Sequence, residues 1–263
     1  MRVFRGFDNL PPFTHAVATM GSFDGVHCGH QVLLQRITSL ATERGGESIV
    51  LTFEPHPRYV LGKGEGMKLL STLEEKLWLL ERYGVDNVIV IPFTQEFSRT
   101  SPDDFITKYI TGIGVERFVV GYNHRFGHNK AGDYSALKDS QRTLEIDMVE
   151  QQLLDNNKVS STVIREVIEH GDITLANELM AHPYIIMASV NTEGAIAELD
   201  DNKLLPPNGE YAAIIHYTNA NSQNTNKIDN SIKATLKVED GRFSIINHSG
   251  KKGKATIELT GDK

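Results

Sequence analysis

The stretch GSFDGVHCGH, residues 21–30, decides how the chain begins to fold and suggests which chemistry it serves. It follows the apolar run Ala16 to Met20, which is typical of a buried strand. It precedes QVLLQR, residues 31–36, in which the apolar positions have the spacing of a helix. At a junction from strand to helix the backbone N–H groups point outward and the helix dipole is positive, so an anion is stabilised there. The stretch therefore predicts an anion-binding loop.

The two histidines of this stretch make a phosphate the favoured anion. His27 and His30 lie three positions apart, with Gly29 between them. Gly29 lets a phosphate approach the backbone because it has no Cβ. Each imidazole can donate a hydrogen bond to phosphate oxygens and stabilise the charge that builds on a pentavalent phosphorus. The pattern predicts a cradle for nucleotide phosphates.

Two other interpretations of the same residues stay open. A four-residue HxGH pattern is short enough to occur by chance in a turn, although the strand before it and the helix after it favour a site. A zinc site built from His27, Cys28 and His30 would lack the second cysteine pair that a closed tetrahedral site needs. We therefore predict no metal ligands in the protein itself.

Composition agrees with a soluble enzyme of the cytoplasm. The 263 residues suffice for one large and one smaller domain, and the net charge of −7 argues against a nucleic-acid surface. The single cysteine excludes an intramolecular disulfide and fits a reducing compartment. Met1 to Pro12 lacks the apolar core of a signal peptide, and no run approaches the roughly 18 apolar residues of a membrane span. The oligomeric state stays open.

The order of strands and helices predicts an α/β fold. Apolar runs rich in Ile and Val at residues 48–53, 87–91 and 117–121 predict buried parallel strands. Helix starts are predicted at residues 71–74, which have the spacing of a capping box, and at residues 101–104, where a proline follows a serine. This alternation predicts a doubly wound, Rossmann-like parallel sheet, in which ligands bind at the carboxyl ends of the strands.

The pattern changes after Pro183, where short β-like runs are separated by turn residues. Such runs predict a small antiparallel β-barrel or sandwich. We accordingly predict two domains, residues 1–182 and residues 183–263.

Three further segments carry candidate site residues. The segments TFEPHPR (52–58) and GYNHR (121–125) follow predicted strands, so they gather on the same sheet edge as the HxGH pattern. His56 between two prolines can equally be a rigid turn, and Arg125 a solvated loop charge. The third segment, VSSTVIR (159–165), has three hydroxyls at a helix start and Arg165 one turn inside, which together make a second phosphate-binding surface or a well-capped helix.

In this order, five segments resemble the bacterial FAD synthetase family, the bifunctional riboflavin kinase/FMN adenylyltransferases. They are GSFDGVHCGHQ, TFEPHPR, LLSTLEEKLWLLERYGVD, VVGYNHRFGHNKAGD and VSSTVIR, within Thr14 to about Tyr184. The resemblance implies a nucleotidyltransferase domain that joins ATP and FMN into FAD and releases pyrophosphate, with Mg²⁺ on the phosphates.

The resemblance also implies roles for individual residues. The implied catalytic residues are His27, His30 and Arg165. The implied ATP-binding residues are Gly21, Ser22, Phe23, Asp24, Gly29, Ser160, Ser161 and Thr162. The implied flavin-binding residues are Phe53, His56, Pro57, Asn123, Arg125 and Phe126. Family members commonly have an acidic residue at the position of Asn123 and an arginine at that of Lys130, so the flavin side departs from the family pattern.

The kinase half of the family pattern is missing. In the family, a Gly-rich stretch ending in Pro-Thr-Ala-Asn follows soon after the segment that resembles residues 182–184. Residues 187–204 contain no such stretch, and the position of the kinase's glutamate base aligns with Arg242. A cation cannot accept the proton of the riboflavin hydroxyl. We therefore expect FAD formation without riboflavin kinase activity.

Three alternatives remain at this point. The chain could be a non-catalytic flavin- or nucleotide-binding homologue, or a cytidylyl- or adenylyltransferase with another acceptor, against which the flavin-side segments weigh. It could also be a bifunctional enzyme with a diverged kinase site, for which Glu210 and Glu239 are the nearest acids.

Overall fold

The computed structural model describes residues 1–122, 144–150, 153–154, 157–217, 231–246 and 248–262. Contacts between residues divide the chain into two compact units. The first unit comprises Met1–Phe23, Gly29–Met67 and Leu77–Lys158, and the second comprises Asp24–Cys28, Lys68–Lys76 and Val159–Lys263. The chain thus enters the second unit twice, for short segments, before it enters it for good.

A six-stranded parallel sheet forms the centre of the first unit. Its strands are β1 (Arg2–Arg5), β2 (Ala16–Met20), β3 (Ser48–Glu54), β4 (Asn87–Pro92), β5 (Val115–Gly121) and β6 (Glu145–Val149). Their spatial order is β1-β4-β3-β2-β5-β6. From β2 the chain winds first toward β3 and β4 and then, on the other side, toward β5 and β6. The predicted doubly wound sheet is confirmed, and its switch point lies between β2 and β5.

The four inner strands of this sheet, β2 to β5, are largely buried, whereas the edge strands β1 and β6 are exposed or half-buried. All five residues of β2 are buried, as expected for a central parallel strand. The helices are α1 (Cys28–Glu43), α2 (Pro57–Val60), α3 (Leu73–Arg82) and α4 (Pro102–Asp104), the last of which continues as a π-helix, Phe105–Ile110. A two-stranded ladder, β7 (Leu153–Leu154) with β8 (Asn157–Lys158), follows β6.

One helix begins earlier than its apolar pattern indicates. Helix α1 starts at Cys28 and not after His30, so Gly29 and His30 belong to its first turn. The apolar spacing begins later because the first turn carries no core residue, and its first buried side chain is Leu34. This displacement places His30 at the positive end of the helix dipole.

Helices α5 (Ser161–Glu169) and α6 (Ile173–Met180) open the last part of the second unit, and an antiparallel barrel follows. Its strands are β9 (Tyr184–Val190), β10 (Ile196–Ala197), β11 (Gly209–Tyr217), β12 (Ser231–Glu239), β13 (Arg242–Ile246) and β14 (Gly253–Asp262). The spatial order is β10-β9-β14-β11-β12-β13, and a bridge between Ala195 and Ser244 brings the two edges together. The predicted antiparallel barrel is confirmed.

One apolar core joins the two helices to the barrel. Ile164, Ile168 and Met180 of the helices are fully buried in the same cluster as Ile257 and Leu259 of β14. By contacts, therefore, residues 159–182 belong with the barrel, whereas the predicted domain boundary at residue 182 stays a prediction. Among the described residues, no helix has the length and apolar character of a membrane span.

Candidate functional site

The loop after β2 starts in the first unit, where the backbone of β3 positions it. The N–H of Gly21 donates to the carbonyl of Leu51 (3.1 Å), and the hydroxyl of Thr52 donates to the carbonyl of Ser22 (3.3 Å). Phe23 is fully buried, and its ring centroid lies 5.0 Å from that of His30. A residue predicted to bind ATP thus supports the imidazole of the neighbouring helix turn.

The next five residues, Asp24–Cys28, belong to the second unit and are held in an unusual backbone conformation. Gly25 has φ of 77°, and Val26 has φ of 41°, which is rare for a β-branched residue. A Cβ on Gly25 would lie 2.8 Å from Cδ1 of Leu70 and 2.9 Å from its Cβ, so glycine is required by packing as well as by conformation. Backbone strain of this kind persists only where surrounding contacts determine it, and it clusters at functional sites.

An ion pair anchors the start of this loop. Asp24 is 2% exposed, and its carboxylate accepts from the guanidinium of Arg165, which is 7% exposed. The Nε of Arg165 also donates to the carbonyl of Lys68 (2.7 Å). Asp24, an implied ATP-binding residue, and Arg165, an implied catalytic residue, are therefore direct partners. Binding of the triphosphate by Arg165 stays a prediction.

The helix start at residues 159–165 forms as predicted. Ser160 caps helix α5, because its side chain accepts from the N–H of Val163 (3.5 Å). The hydroxyl of Ser161 donates to the carbonyl of Asp24 (3.1 Å), and Thr162 is exposed. Of the three hydroxyls, one caps the helix and one holds the loop.

The capping box predicted at residues 71–74 lies one position further along the chain. Thr72 is the cap of α3, and the exchange of hydrogen bonds is with Glu75: the N–H of Thr72 donates to Glu75 (2.8 Å) and the N–H of Glu75 donates to Thr72 (3.2 Å). Ser71 instead accepts from the N–H of Gly25 (2.9 Å), and its own N–H donates to Asp24 (3.0 Å). The sequence spacing is compatible with a cap at Ser71 or at Thr72. In the structure Thr72 is the cap, because the Ser71 hydroxyl is bonded to the buried loop at Gly25.

His27 is buried within this arrangement. Burial lowers the pKa of its imidazole from 6.5 to about 4, because the Asp24 carboxylate, which favours the charged form, offsets only part of the loss of solvation. His182 and Arg165 lower the pKa a little further. The imidazole is therefore neutral at neutral pH, and it can donate through only one ring nitrogen.

The predicted flavin-side residues that the structure describes lie in the first unit. Phe53 is buried, with ring centroids 5.3 Å from Phe93 and 6.2 Å from Phe97. His56 accepts from the N–H of Arg58 (3.2 Å) and caps helix α2, of which Pro57 is the first residue. The turn interpretation of His56 thus holds locally. The remaining three predicted residues, Asn123, Arg125 and Phe126, lie outside the described residues, as does Lys130.

A cavity of about 510 Å³ lies at the carboxyl end of β4, and its lining was not anticipated. Apolar rings and charged side chains share it: Phe7, Ile91, Pro92, Thr94, Glu96, Phe97, Arg99, Thr100, Ser101, Asp104, Lys108 and Tyr109. Phe97 connects it to the ring cluster of Phe53. Sequence patterns had marked residues 101–104 only as a helix start.

Sequence reasoning also missed the groups that support the Asp24–Cys28 loop from behind. Nε2 of His182 lies 2.9 Å from the carbonyl oxygen of Gly25. Glu75 is fully buried and pairs with the buried Lys203 (2.7 Å). Glu75 and His182 lie in segments that resemble the family, whereas nothing in the pattern around Lys203 marks it. In the described parts of the chain, no group of three or more His, Cys, Asp or Glu side chains is placed to hold a metal ion.

Fold and topology define the class: this is an α/β protein whose doubly wound parallel sheet is followed by an antiparallel barrel. The family model described as FAD synthetase matches residues 11–163, which include the whole of the loop and most of the helix start described above. The chain belongs to the FAD synthetase family.

Individual relatives agree with this assignment. Bifunctional riboflavin kinase/FMN adenylyltransferases of Listeria monocytogenes and Bacillus subtilis are each 34% identical, over 74% and 75% of this chain. The chain covers 66% of the length of each of these two proteins. A protein named FAD synthetase from Listeria monocytogenes is 34% identical over 78% of this chain and 84% of its own length.

A crystal structure described as a macrolide-efflux protein from Streptococcus pneumoniae covers 100% of both chains with a TM-score of 0.85 and 21% identity. At this identity the likeness concerns the fold alone.

Proposed function

We propose that this chain transfers AMP from ATP to FMN, forming FAD and releasing pyrophosphate. The observation that carries the proposal is the match of residues 11–163 to the FAD synthetase family, within which GSFDGVHCGH follows β2 at the switch point of the sheet. The 34% identity to a protein named FAD synthetase, over 84% of its length, supports the same activity.

The proposed reaction is an in-line displacement at phosphorus. A phosphate oxygen of FMN attacks the α-phosphorus of ATP, a new P–O bond forms, and the bond from the α-phosphorus to the bridging oxygen breaks as pyrophosphate leaves. Mg²⁺ would be brought to the site bound to the phosphates of the substrate ATP. Such a transfer requires positioning and neutralisation of charge more than a nucleophile or a base on the protein.

The two histidines act as hydrogen-bond donors in this proposal. His27 is neutral at neutral pH because burial lowers its pKa to about 4, so it offers a phosphate oxygen one N–H group and no positive charge. His30 lies in the first turn of α1, where the N–H groups of a helix start and the helix dipole also favour phosphate. Gly29 beside it leaves the backbone accessible.

Arg165 has two roles in the proposal. Its ion pair with Asp24 and its bond to the carbonyl of Lys68 use only part of the five N–H donors of a guanidinium. It can therefore bind the triphosphate while it stays paired. Ser160, Ser161 and Thr162 precede it at the start of α5 and would complete this second phosphate surface.

For the flavin we propose the aromatic side of the first unit. The rings of Phe53, Phe97 and Tyr109 follow one another at centroid distances of 6.2 Å and 5.4 Å, and the last two line the cavity beside β4. A volume of about 510 Å³ is in the range of small-molecule sites. Replacement Phe97→Leu should raise the KM for FMN and leave that for ATP unchanged, whereas Phe4→Leu, in a ring pair that does not line the cavity, should change neither.

We also propose that the chain lacks riboflavin kinase activity. Residues 187–204 contain no Gly-rich stretch, and Lys203 of that segment is engaged with Glu75 and with two backbone carbonyls. The aligned base position holds Arg242, which cannot accept a proton.

One assay tests both parts. The purified protein is incubated with ATP and Mg²⁺ and either FMN or riboflavin, and the flavins are separated by chromatography. FAD from FMN, with no FMN from riboflavin, supports the proposal. Binding of FMN and ATP without turnover identifies a non-catalytic homologue, and FMN formed at catalytic rates from riboflavin identifies a diverged but active kinase.

Matched variants test the assigned roles. Loss of a donor that stabilises transition-state charge costs on the order of 2–4 kcal/mol, so His30→Ala should lower kcat by roughly 30-fold to 1,000-fold. His170→Ala, at the exposed end of α5, should leave kcat unchanged. Equal turnover of His30→Ala and wild type would reject the phosphate role of His30.

A further inference from the structure

A buried lysine in the irregular segment before β11 makes three hydrogen bonds to one neighbourhood. Lys203 is 3% exposed, and its Nζ donates to Glu75 (2.7 Å), to the carbonyl of Leu70 (2.6 Å) and to the carbonyl of Ile185 (2.8 Å). The ring of Tyr184 lies below it, with the centroid 4.2 Å from Nζ. An ammonium has three donors, and all three are satisfied here.

The same neighbourhood is joined by backbone bonds. The N–H of Leu69 donates to the carbonyl of Asn202 (2.7 Å), and the N–H of Leu204 donates to the carbonyl of Leu69 (2.8 Å). Glu75 also accepts from the N–H of Met187 in β9 (2.9 Å). Leu69, Leu70 and Glu75 therefore bind residues 68–76 to β9 and to the segment before β11.

Other hydrogen bonds of residues 68–76 join them to the Asp24–Cys28 segment, which we call the phosphate loop. Ser71 holds Gly25 through its hydroxyl and Asp24 through its N–H, while the carbonyl of Lys68 accepts from Arg165, the partner of Asp24. Every one of these groups lies in the second unit. Hydrogen bonds, together with the backbone of residues 68–76, therefore connect the barrel to Asp24 and Gly25, which precede His27.

We propose that Lys203 is a positioning residue for the phosphate loop, and that the barrel segment around it serves as the brace of the transferase site. The loop needs such a brace because Val26 holds a strained backbone angle, φ of 41°, that only surrounding contacts can maintain. The structural claim concerns loop order, and its catalytic consequence rests on the proposed adenylyl transfer.

The test removes the ion pair without leaving a buried charge. Lys203→Met alone would strand the Glu75 carboxylate, which is strongly destabilising, so it is combined with Glu75→Gln, whose amide oxygen still accepts. Lys237→Met serves as the control, because Lys237 lies in the same barrel in an exposed ion pair with Glu239. Circular dichroism and thermal melting establish that each variant is folded.

Two readouts separate a brace from a general loss of stability. Hydrogen exchange at the amides of Gly25 and Ser71 should accelerate at least about tenfold in the double variant, while that of Ile257 in β14 changes far less, because local opening is confined to the braced segment. In the FAD assay the double variant should lose about tenfold or more in kcat with little change in the KM for FMN, since displaced groups weaken catalysis more than remote binding.

The outcomes are distinct. Unchanged exchange at Gly25 and Ser71 in a folded double variant would overturn the proposal, whether or not the protein makes FAD. Faster exchange without any FAD formation by the wild type would leave the brace intact and defeat the proposed function alone. If the double variant does not fold, wild-type exchange decides: Gly25, Ser71 and Leu204 should open with similar free energies, and a much lower value at Gly25 would show that the loop opens independently of the barrel.

Discussion

A neutral histidine beside a paired carboxylate is the most telling group of the site. Burial disfavours the imidazolium of His27 more than the nearby Asp24 carboxylate favours it, and the charge of Arg165 disfavours it further. In the proposed reaction the neutral imidazole would donate a hydrogen bond to a phosphate without a protonation step. When the pH falls, this imidazole destabilises the folded protein, because the unfolded state binds a proton more readily.

We expect this histidine to make the protein less stable in mild acid. The pKa of the imidazole is ordinarily 6.5, as in an unfolded chain, and about 4 in the folded protein, so between these values the unfolded state binds more protons. The contribution of this neutral imidazole to the free energy of unfolding is complete above about pH 6.5 and is lost as the pH falls toward about 4. By linkage, the free energy of unfolding should fall by about 2 kcal/mol from this group between about pH 7 and about pH 5.

Urea unfolding of wild type and His27→Gln at the two pH values measures this effect. The variant should lose less stability than wild type on acidification, because glutamine does not titrate. Parallel losses in the two proteins would contradict the assigned pKa.

The segment Asp24–Cys28 shows how a short element can depend on distant parts of the chain. Its first three residues, Asp24, Gly25 and Val26, form a single 3-10 turn and are all buried, and its last residue, Cys28, begins helix α1. Its polar groups are satisfied by Ser71, Ser161 and other residues of the second unit. Its shape should therefore be sensitive to changes that a surface turn would tolerate.

Two glycines with the same backbone angle test this sensitivity. Gly25 has φ of 77° and Gly84 has φ of 75°, but an added Cβ contacts Leu70 only at Gly25 and meets nothing within 4 Å at Gly84. Both alanine variants bear the cost of a left-handed conformation, roughly 1–2 kcal/mol. Gly25→Ala should lose about 1–3 kcal/mol more, through overpacking, and should also lower FAD formation. Equal free energies of unfolding would show that the loop yields freely.

Two adjacent hydroxyls provide a second test. Thr72→Ala removes the cap of α3 and should cost about 1 kcal/mol. Ser71→Ala leaves the buried N–H of Gly25 without its acceptor, at a cost of about 1–3 kcal/mol. Only Ser71→Ala should accelerate hydrogen exchange at Gly25. Faster exchange there in Thr72→Ala would mean that the two hydroxyls have been assigned to the wrong partners.

Across the molecule, the barrel and helices α5 and α6 behave as one structural unit. Their shared core contains Ile164 and Ile168 together with Ile257 and Leu259, all fully buried. Burial of such side chains contributes roughly 1.5–3 kcal/mol each, so the helices depend on the barrel for most of their stability. The barrel thus has a structural role that does not depend on any catalytic activity of its own.

A truncated chain tests this dependence. Residues 1–182, the predicted first domain, would expose the apolar faces of α5 and α6, and we expect this fragment to aggregate or to melt well below the full chain. Thermal melting followed at a helix-sensitive wavelength measures the difference. A fragment that melts with the full chain would restore the predicted boundary as an independent folding boundary.

Local patterns sufficed for the inner strands β2 to β5, the helix start at Ser160 and the class of fold, because side-chain periodicity and capping act over a few residues. They did not predict the edge strands β1 and β6, which lack a run of buried apolar residues. They also predicted a site at GSFDGVHCGH, because its glycines and histidines lie next to one another in the sequence. The pairing of Asp24 with Arg165, which are 141 positions apart, could not be obtained in this way, and neither could the choice of Thr72 over Ser71 as the cap. These depend on which buried polar groups meet after the chain has packed, since each must find a partner where water is excluded. Lys203 is the clearest case: in the sequence it is one lysine in a polar stretch, and only the folded barrel brings it to Glu75.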